Sequence, residues 1–90
     1  LDELVEAMKE FPGATFEISG HTDSRGDDNY NMRLSDKRAK FVRELLIKRG
    51  VDPSVLVAVG KGETEPVIPD AQTEPEHEQN RRVDVKIINE

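Results

Sequence analysis

Two strand-like runs, Ala14 to Ser19 and Val55 to Val59, flank the longest helical pattern in the chain, which follows Asp27-Asp28-Asn29 and runs to about Arg49. A strand–helix–strand unit with so long a crossover leaves one arrangement. The strands lie parallel, and the helix packs across them in a right-handed connection. In the first run Phe16 and Ile18 alternate with polar residues, the period of a half-buried strand. The second is apolar throughout and largely β-branched, which predicts a buried strand. Asp27, Asp28 and Asn29 suit the start of the helix as caps, and Lys48, Arg49 and Gly50 mark its end.

The remaining segments attach to this unit. Leu1, Leu4, Val5 and Met8 recur at helical spacing until Pro12-Gly13 stops the pattern near Phe11. Asp52-Pro53-Ser54 reads as a short helical turn with Asp52 as its cap. Gly60-Lys61-Gly62 closes the second strand, and Glu63 to Asn80 is a polar, Pro-containing surface excursion. Inside it, Thr73-Glu74-Pro75-Glu76 has the spacing of a capping box and predicts one short helix. Val83, Val85 and Ile87 alternate with Arg82, Asp84 and Lys86 in a last, half-buried strand that can join antiparallel. A parallel crossover joined by an antiparallel last strand would make one mixed sheet.

The polar loop Gly20 to Gly26 and the helix after it hold the candidate site. At about 100° per residue, Leu34, Phe41, Val42 and Leu45 form one apolar stripe with Arg38 in its middle. A guanidinium facing a core needs an anion or a route to water. Asp23, where strand gives way to helix, is the nearest candidate. The expectation is an Asp23–Arg38 charge pair at the mouth of a small pocket, which a ligand carrying both an ammonium and a carboxylate would bridge. The simpler reading of Asp23 is a turn aspartate that accepts backbone N–H bonds and orders the loop.

Composition narrows the classes of partner. Ninety residues are read as one domain, 1–90, and a net charge of −6 argues against nucleic acid, which needs a basic face. Without cysteine there is no disulfide, thiolate metal site or thiol nucleophile. No apolar run approaches the ~20 residues of a membrane span, so membrane attachment is expected only through a segment outside this chain. The chain opens inside a helical pattern without an initiator Met and is read as N-terminally truncated. No metal or cofactor is expected: His21 and His77 lack ligand spacing, and Asp23, Asp27 and Asp28 lack the pattern of a calcium loop.

His21-Thr22-Asp23-x-x-Gly26, Asn31-x-x-Leu34-Ser35-x-x-Arg38-Ala39, Gly50-Val51, Gly60-x-Gly62-x-x-x-Pro66 and Asn80-Arg81-Arg82-Val83 resemble, in order and at family spacing, the OmpA-like C-terminal domain, from about Leu4 to Ile87. The resemblance implies an α/β (α+β) fold, a two-layer sandwich with a mixed sheet and helices packed on one face, and non-covalent binding of peptidoglycan through the diaminopimelate residue of its stem peptide. It implies Asp23 and Arg38 as the binding pair, with Thr22, Asn31, Leu34, Ser35, Asn80 and Arg82 lining or supporting the pocket. It also implies a strand and a loop before the first helix, both absent from this chain, the loop lining one side of the pocket. The periplasm of a diderm bacterium is the implied location, within an outer-membrane-associated protein tethered to the wall. Other envelope proteins are a second class of partner.

An enzyme is not expected. Ser35 has no neighbouring base, no nucleophile elbow is present, and no carboxylate pair stands out as an acid–base couple. The main rival is a protein-interaction domain that kept the fold and lost wall binding. A hydrolase using Asp23 and His21 ranks far behind.

Overall fold

The computed structural model describes residues 1–89. Helix α1 spans Asp2–Lys9, strand β1 Thr15–His21 and helix α2 Asp28–Lys48. A 3₁₀ turn at Pro53–Val55 leads into β2, Leu56–Gly60; α3, Glu74–Asn80, and β3, Arg82–Asn89, follow. The sheet order is β2-β1-β3, with β1 parallel to β2 and antiparallel to β3. The architecture is therefore the expected α/β one, with a mixed sheet.

The caps are where the sequence predicts them. The Asp27 carboxylate accepts from Tyr30 N at the start of α2, and Asp52 accepts from Ser54 N at the 3₁₀ turn. Thr73 and Glu76 form a complete capping box on α3. Each cap satisfies N–H groups that a helix start leaves unpaired, typically worth about 1 kcal/mol.

The core lies between the sheet and the helices α1 and α2. Phe16 and Ile18 from β1 and Leu56 from β2 meet Val5 and Met8 of α1 and Ala39 and Leu46 of α2, all buried. Ile18 and Leu46 are fully enclosed, and each contributes about 2 kcal/mol of apolar burial. Arg43 fastens α2 to the entry of β2, donating to Leu56 O at 3.0 Å and Pro53 O at 2.9 Å.

Two expectations fail here. β2 is an edge strand rather than a buried one: Leu56 faces the helices and is buried, but Val57, on the opposite face of the sheet, is 45% exposed. The second concerns how α2 is rotated about its own axis. The residues it sets on the sheet are Asn31, Ser35, Ala39 and Leu46; Arg38 and Phe41 face outward, Phe41 65% exposed.

The reason for that rotation is Gly20 in β1 paired with Gly60 in β2. A Cβ on Gly20 would stand 2.1 Å from Ser35 O, and one on Gly60 2.5 Å from Asp36 N. Helix backbone rests directly on two bare strand positions, and only small residues fit in that seam. Ser35 then locks the contact: its hydroxyl accepts from Gly62 N at 2.9 Å and donates to Met32 O at 2.9 Å. Gly20 and Gly60, read from sequence as loop start and strand stop, are strand residues chosen for close approach.

The polar excursion is tied down by Asn80, 1% exposed, whose amide donates to Ile68 O at 3.0 Å and accepts from Ile68 N at 2.9 Å. Asn80→Ala strands both backbone groups. It should cost about 1–2 kcal/mol and make the Lys61 to Gln72 segment cleavable in limited proteolysis where the parent chain resists.

Candidate functional site

β1 delivers His21, Thr22 and Asp23 to the point where the chain leaves the sheet, and α2 begins five residues later. Thr22 is pinned from both sides, its N–H donating to Gly62 O at 2.9 Å and its hydroxyl to Asp23 O at 3.0 Å. Asn31, buried on the first turn of α2, donates to Arg25 O at 3.0 Å and, at the limit of a hydrogen bond, to Asp23 O at 3.5 Å. The loop is thus built from within by two side chains, and the buried Asp23 carboxylate is turned to the cations around it.

That carboxylate does three jobs. Oδ1 accepts from Arg25 N at 3.0 Å, the turn-aspartate bond anticipated from sequence. Oδ2 accepts from Arg25 Nη2 at 2.8 Å and from Arg81 Nη1 at 2.8 Å. Glu74 closes the ring, pairing with Arg25 Nη2 at 3.1 Å and with Arg81 Nη2. Two cations and two anions form one neutral network that binds the loop after β1 to α3. The Asp23 carboxyl is held well below the usual carboxylate range, first by the Arg25 side-chain hydrogen bond, and further by those of Arg81 and the Arg25 backbone, against the opposing effect of burial.

The Asp23–Arg38 pair is not formed. Arg38 is exposed on the outer face of α2, and among the described residues it has no carboxylate within 4.0 Å. The pairing failed because α2 is turned so that Ser35 and Ala39 meet the sheet, and an outward guanidinium has water and needs no internal anion. Leu34, half-buried, lines a hollow of about 340 Å³ with Lys37, Arg38, Phe41, Val42 and Val83. Among the described residues Asn80 and Arg82 make no hydrogen bond or ion pair with Asp23, and their bonds go to the framework. Arg82 donates to Glu65 O at 2.9 Å and Asn80 O at 3.2 Å, and pairs with Asp84 at 3.1 Å.

Arg25, Glu74 and Arg81 are the site residues that sequence reasoning missed. Arg25 carried a usable signal, because the second residue after a turn aspartate has its N–H and side chain beside that carboxylate. Arg81 stands in the Asn80-Arg81-Arg82-Val83 motif, but nothing local ties it to Asp23: only the chain reversal between α3 and β3 brings it 58 positions back to that carboxylate. His21 is buried, with Nε2 at 3.0 Å from Ser19 Oγ and 3.5 Å from Asp84; burial, then Arg82, lowers its pKa and keeps it neutral. It is a packed histidine beside the site.

The sequence profile of the OmpA family matches residues 1–81. Outer membrane porin F of Pseudomonas fluorescens is 45% identical over 84 residues, 93% of this chain and 26% of that protein. The peptidoglycan-associated lipoprotein of Pseudomonas aeruginosa is 44% identical over 69 residues, 77% of this chain and 40% of that one. The crystal structure of the peptidoglycan-associated lipoprotein from Burkholderia pseudomallei superposes with a TM-score of 0.86 at 35% identity, over 94% of this chain and 71% of that one. This chain spans only about a quarter of the length of the porin. These relatives are outer-membrane and envelope-associated proteins, and a periplasmic, outer-membrane-associated location is consistent with that company. With its profile matched over nearly the full length and its fold shared with these relatives, the chain belongs to the OmpA family.

Proposed function

We propose that this chain is a binding module that holds peptidoglycan non-covalently, taking the diaminopimelate residue of the stem peptide between Asp23 and Arg38. Family membership and the names of the two lipoprotein relatives support an association with peptidoglycan in general. The observation that carries the finer reading is the outward guanidinium of Arg38, unpaired among the described residues, on the α2 face that follows the Asp23 loop. The free end of a diaminopimelate side chain carries an ammonium and a carboxylate on one carbon. Arg38 offers the planar two-pronged donor that a carboxylate fits, and Asp23 the acceptor for the ammonium. Arg25, half exposed, is the partner that can swing into water as the ammonium arrives at Oδ2. Such a module would tether a larger envelope protein to the wall. Each contact would be modest, and many tethers together would gain by effective concentration.

The test is calorimetric titration of the chain with meso-diaminopimelate, alongside sedimentation with isolated peptidoglycan. Arg38→Ala should lower affinity by about thirtyfold, roughly 2 kcal/mol for a lost charge-assisted pair, and leave the melting temperature unchanged. A folded chain that ignores both ligands would sink the proposal and favour the protein-interaction reading.

A further inference from the structure

We propose that the outer face of α2 carries a second anion subsite, in which Arg33 and Lys37 take the free carboxylate of the γ-linked glutamate that precedes diaminopimelate in the stem peptide. This deepens the function proposed above and rests on it.

Tyr30, Arg33, Leu34, Lys37, Arg38 and Phe41 recur at spacings of three and four, so they share one helix face. That face is uncovered. Tyr30 is 56% and Phe41 65% exposed, and the three cations between them are exposed. Two hollows lie along it, of about 250 Å³ and 340 Å³, and both are lined by Leu34 and Lys37. Arg33 lines the first, and Arg38 the second.

The charge arrangement is the unusual part. The chain has 19 acidic and 13 basic residues, so carboxylates are in surplus. Yet among the described residues Arg33, Lys37 and Arg38 have no carboxylate within 4.0 Å. The nearest acid along the helix, Asp36, is turned to Lys40 at 2.8 Å. Arg33 and Lys37, four apart, repel each other by a few tenths of a kcal/mol. A local conflict that the chain could relieve with any of its surplus acids, and does not, marks a surface kept for an external anion.

The occupant follows from spacing and net charge. Arg33 precedes Arg38 by ~7.5 Å along the helix axis, five residues at ~1.5 Å each, and stands about 140° from it around that axis. The γ-linkage carries the peptide chain through the glutamate's own side-chain carbons and leaves its α-carboxylate several bonds from the diaminopimelate nitrogen. That is a longer reach than the ~3.5 Å step of an α-linked residue, and it suits cations set apart both along and around the helix. Leu34 supplies an apolar floor between the cations for the intervening methylenes. An anionic bilayer fits less well, since a chain of net charge −6 is repelled by it as a whole, whereas a single carboxylate feels only cations within a Debye length of ~8 Å.

The test uses three ligands: meso-diaminopimelate, the tripeptide L-Ala-γ-D-Glu-meso-diaminopimelate, and that tripeptide with its glutamate carboxylate amidated. At low salt the chain should bind the acid tripeptide about tenfold tighter than the amidated one. Arg33→Gln/Lys37→Gln should erase that preference and leave affinity for free diaminopimelate within about twofold. Equal affinity for the two tripeptides in the parent chain, or a preference that survives in the double variant, overturns the subsite and leaves the diaminopimelate site standing. Binding of none of the three ligands overturns both. Capture by phosphatidylglycerol vesicles that the double variant loses, with equal tripeptide affinities, overturns the subsite in favour of a membrane surface.

Discussion

Gly20→Ala should lower the melting temperature by roughly 12–24 °C, the equivalent of about 3 kcal/mol in a domain of this size. The added methyl would sit 2.1 Å from Ser35 O, a helix backbone atom that cannot turn aside as a side-chain tip would. Relief requires α2 to lift from the sheet, which opens the seam at Ser35 and Ala39 and breaks the bond from Gly62 N to Ser35 Oγ. Alanine in a strand gains 0.5–1 kcal/mol over glycine from the entropy of the unfolded chain, too little to reverse the sign. Gly60→Ala should act in the same direction, its methyl meeting Asp36 N and Ser35 Oγ. Thermal unfolding followed by circular dichroism decides the matter. A melting point unchanged in both variants would mean that the helix does not seat on these two positions.

Asp23→Asn separates the two halves of the proposed site. The substitution keeps the shape and one acceptor for Arg25 N, but leaves the guanidinium groups of Arg25 and Arg81 sharing Glu74 alone. A loss of about 2 kcal/mol is expected at pH 7, held to that level because Arg25 reaches water, together with loss of diaminopimelate binding. The pH dependence has a definite sign. The folded carboxyl titrates below its unfolded value of about 3.9, so its contribution is complete above that pH and is lost as pH falls through the folded value. In urea unfolding the gap between parent and variant should therefore hold from pH 7 to about 5 and shrink steadily below pH 4. Arg38→Ala, by contrast, should stay within about 0.5 kcal/mol of the parent throughout, because the side chain is exposed and, among the described residues, has no carboxylate within 4.0 Å. Equal destabilisation by both variants would return the two residues to the direct pair that the sequence alone suggested.

The contrast between those variants shows where sequence reading stopped. Period, caps and turn residues located every element: α2 begins at its Asp27 cap, the Thr73–Glu76 box opens α3, and Val83 and Val85 turn their half-buried side inward. These are local signals, written within four residues of the structure they specify. The rotation of α2 was not legible from its own residues. Hydrophobicity alone would turn Leu34 and Phe41 to the core; the bare Gly20–Gly60 pair instead admits Ser35 and Ala39. That information resides in two strands, one ahead of the helix and one behind it, and takes effect only once they are paired.

The amino-acid sequence by itself determined the order of helices and strands, the parallel crossover, and Asp23 as the residue that organises the loop after β1. Tertiary structure alone decided which cations answer Asp23. Opposite charges in a chain of 13 basic and 19 acidic residues can pair in many ways, and distance selects among them. Distance is fixed here by the closeness of α2 to the sheet and by the reversal from α3 into β3. The first turns Arg38 outward, and the second brings Arg81 in.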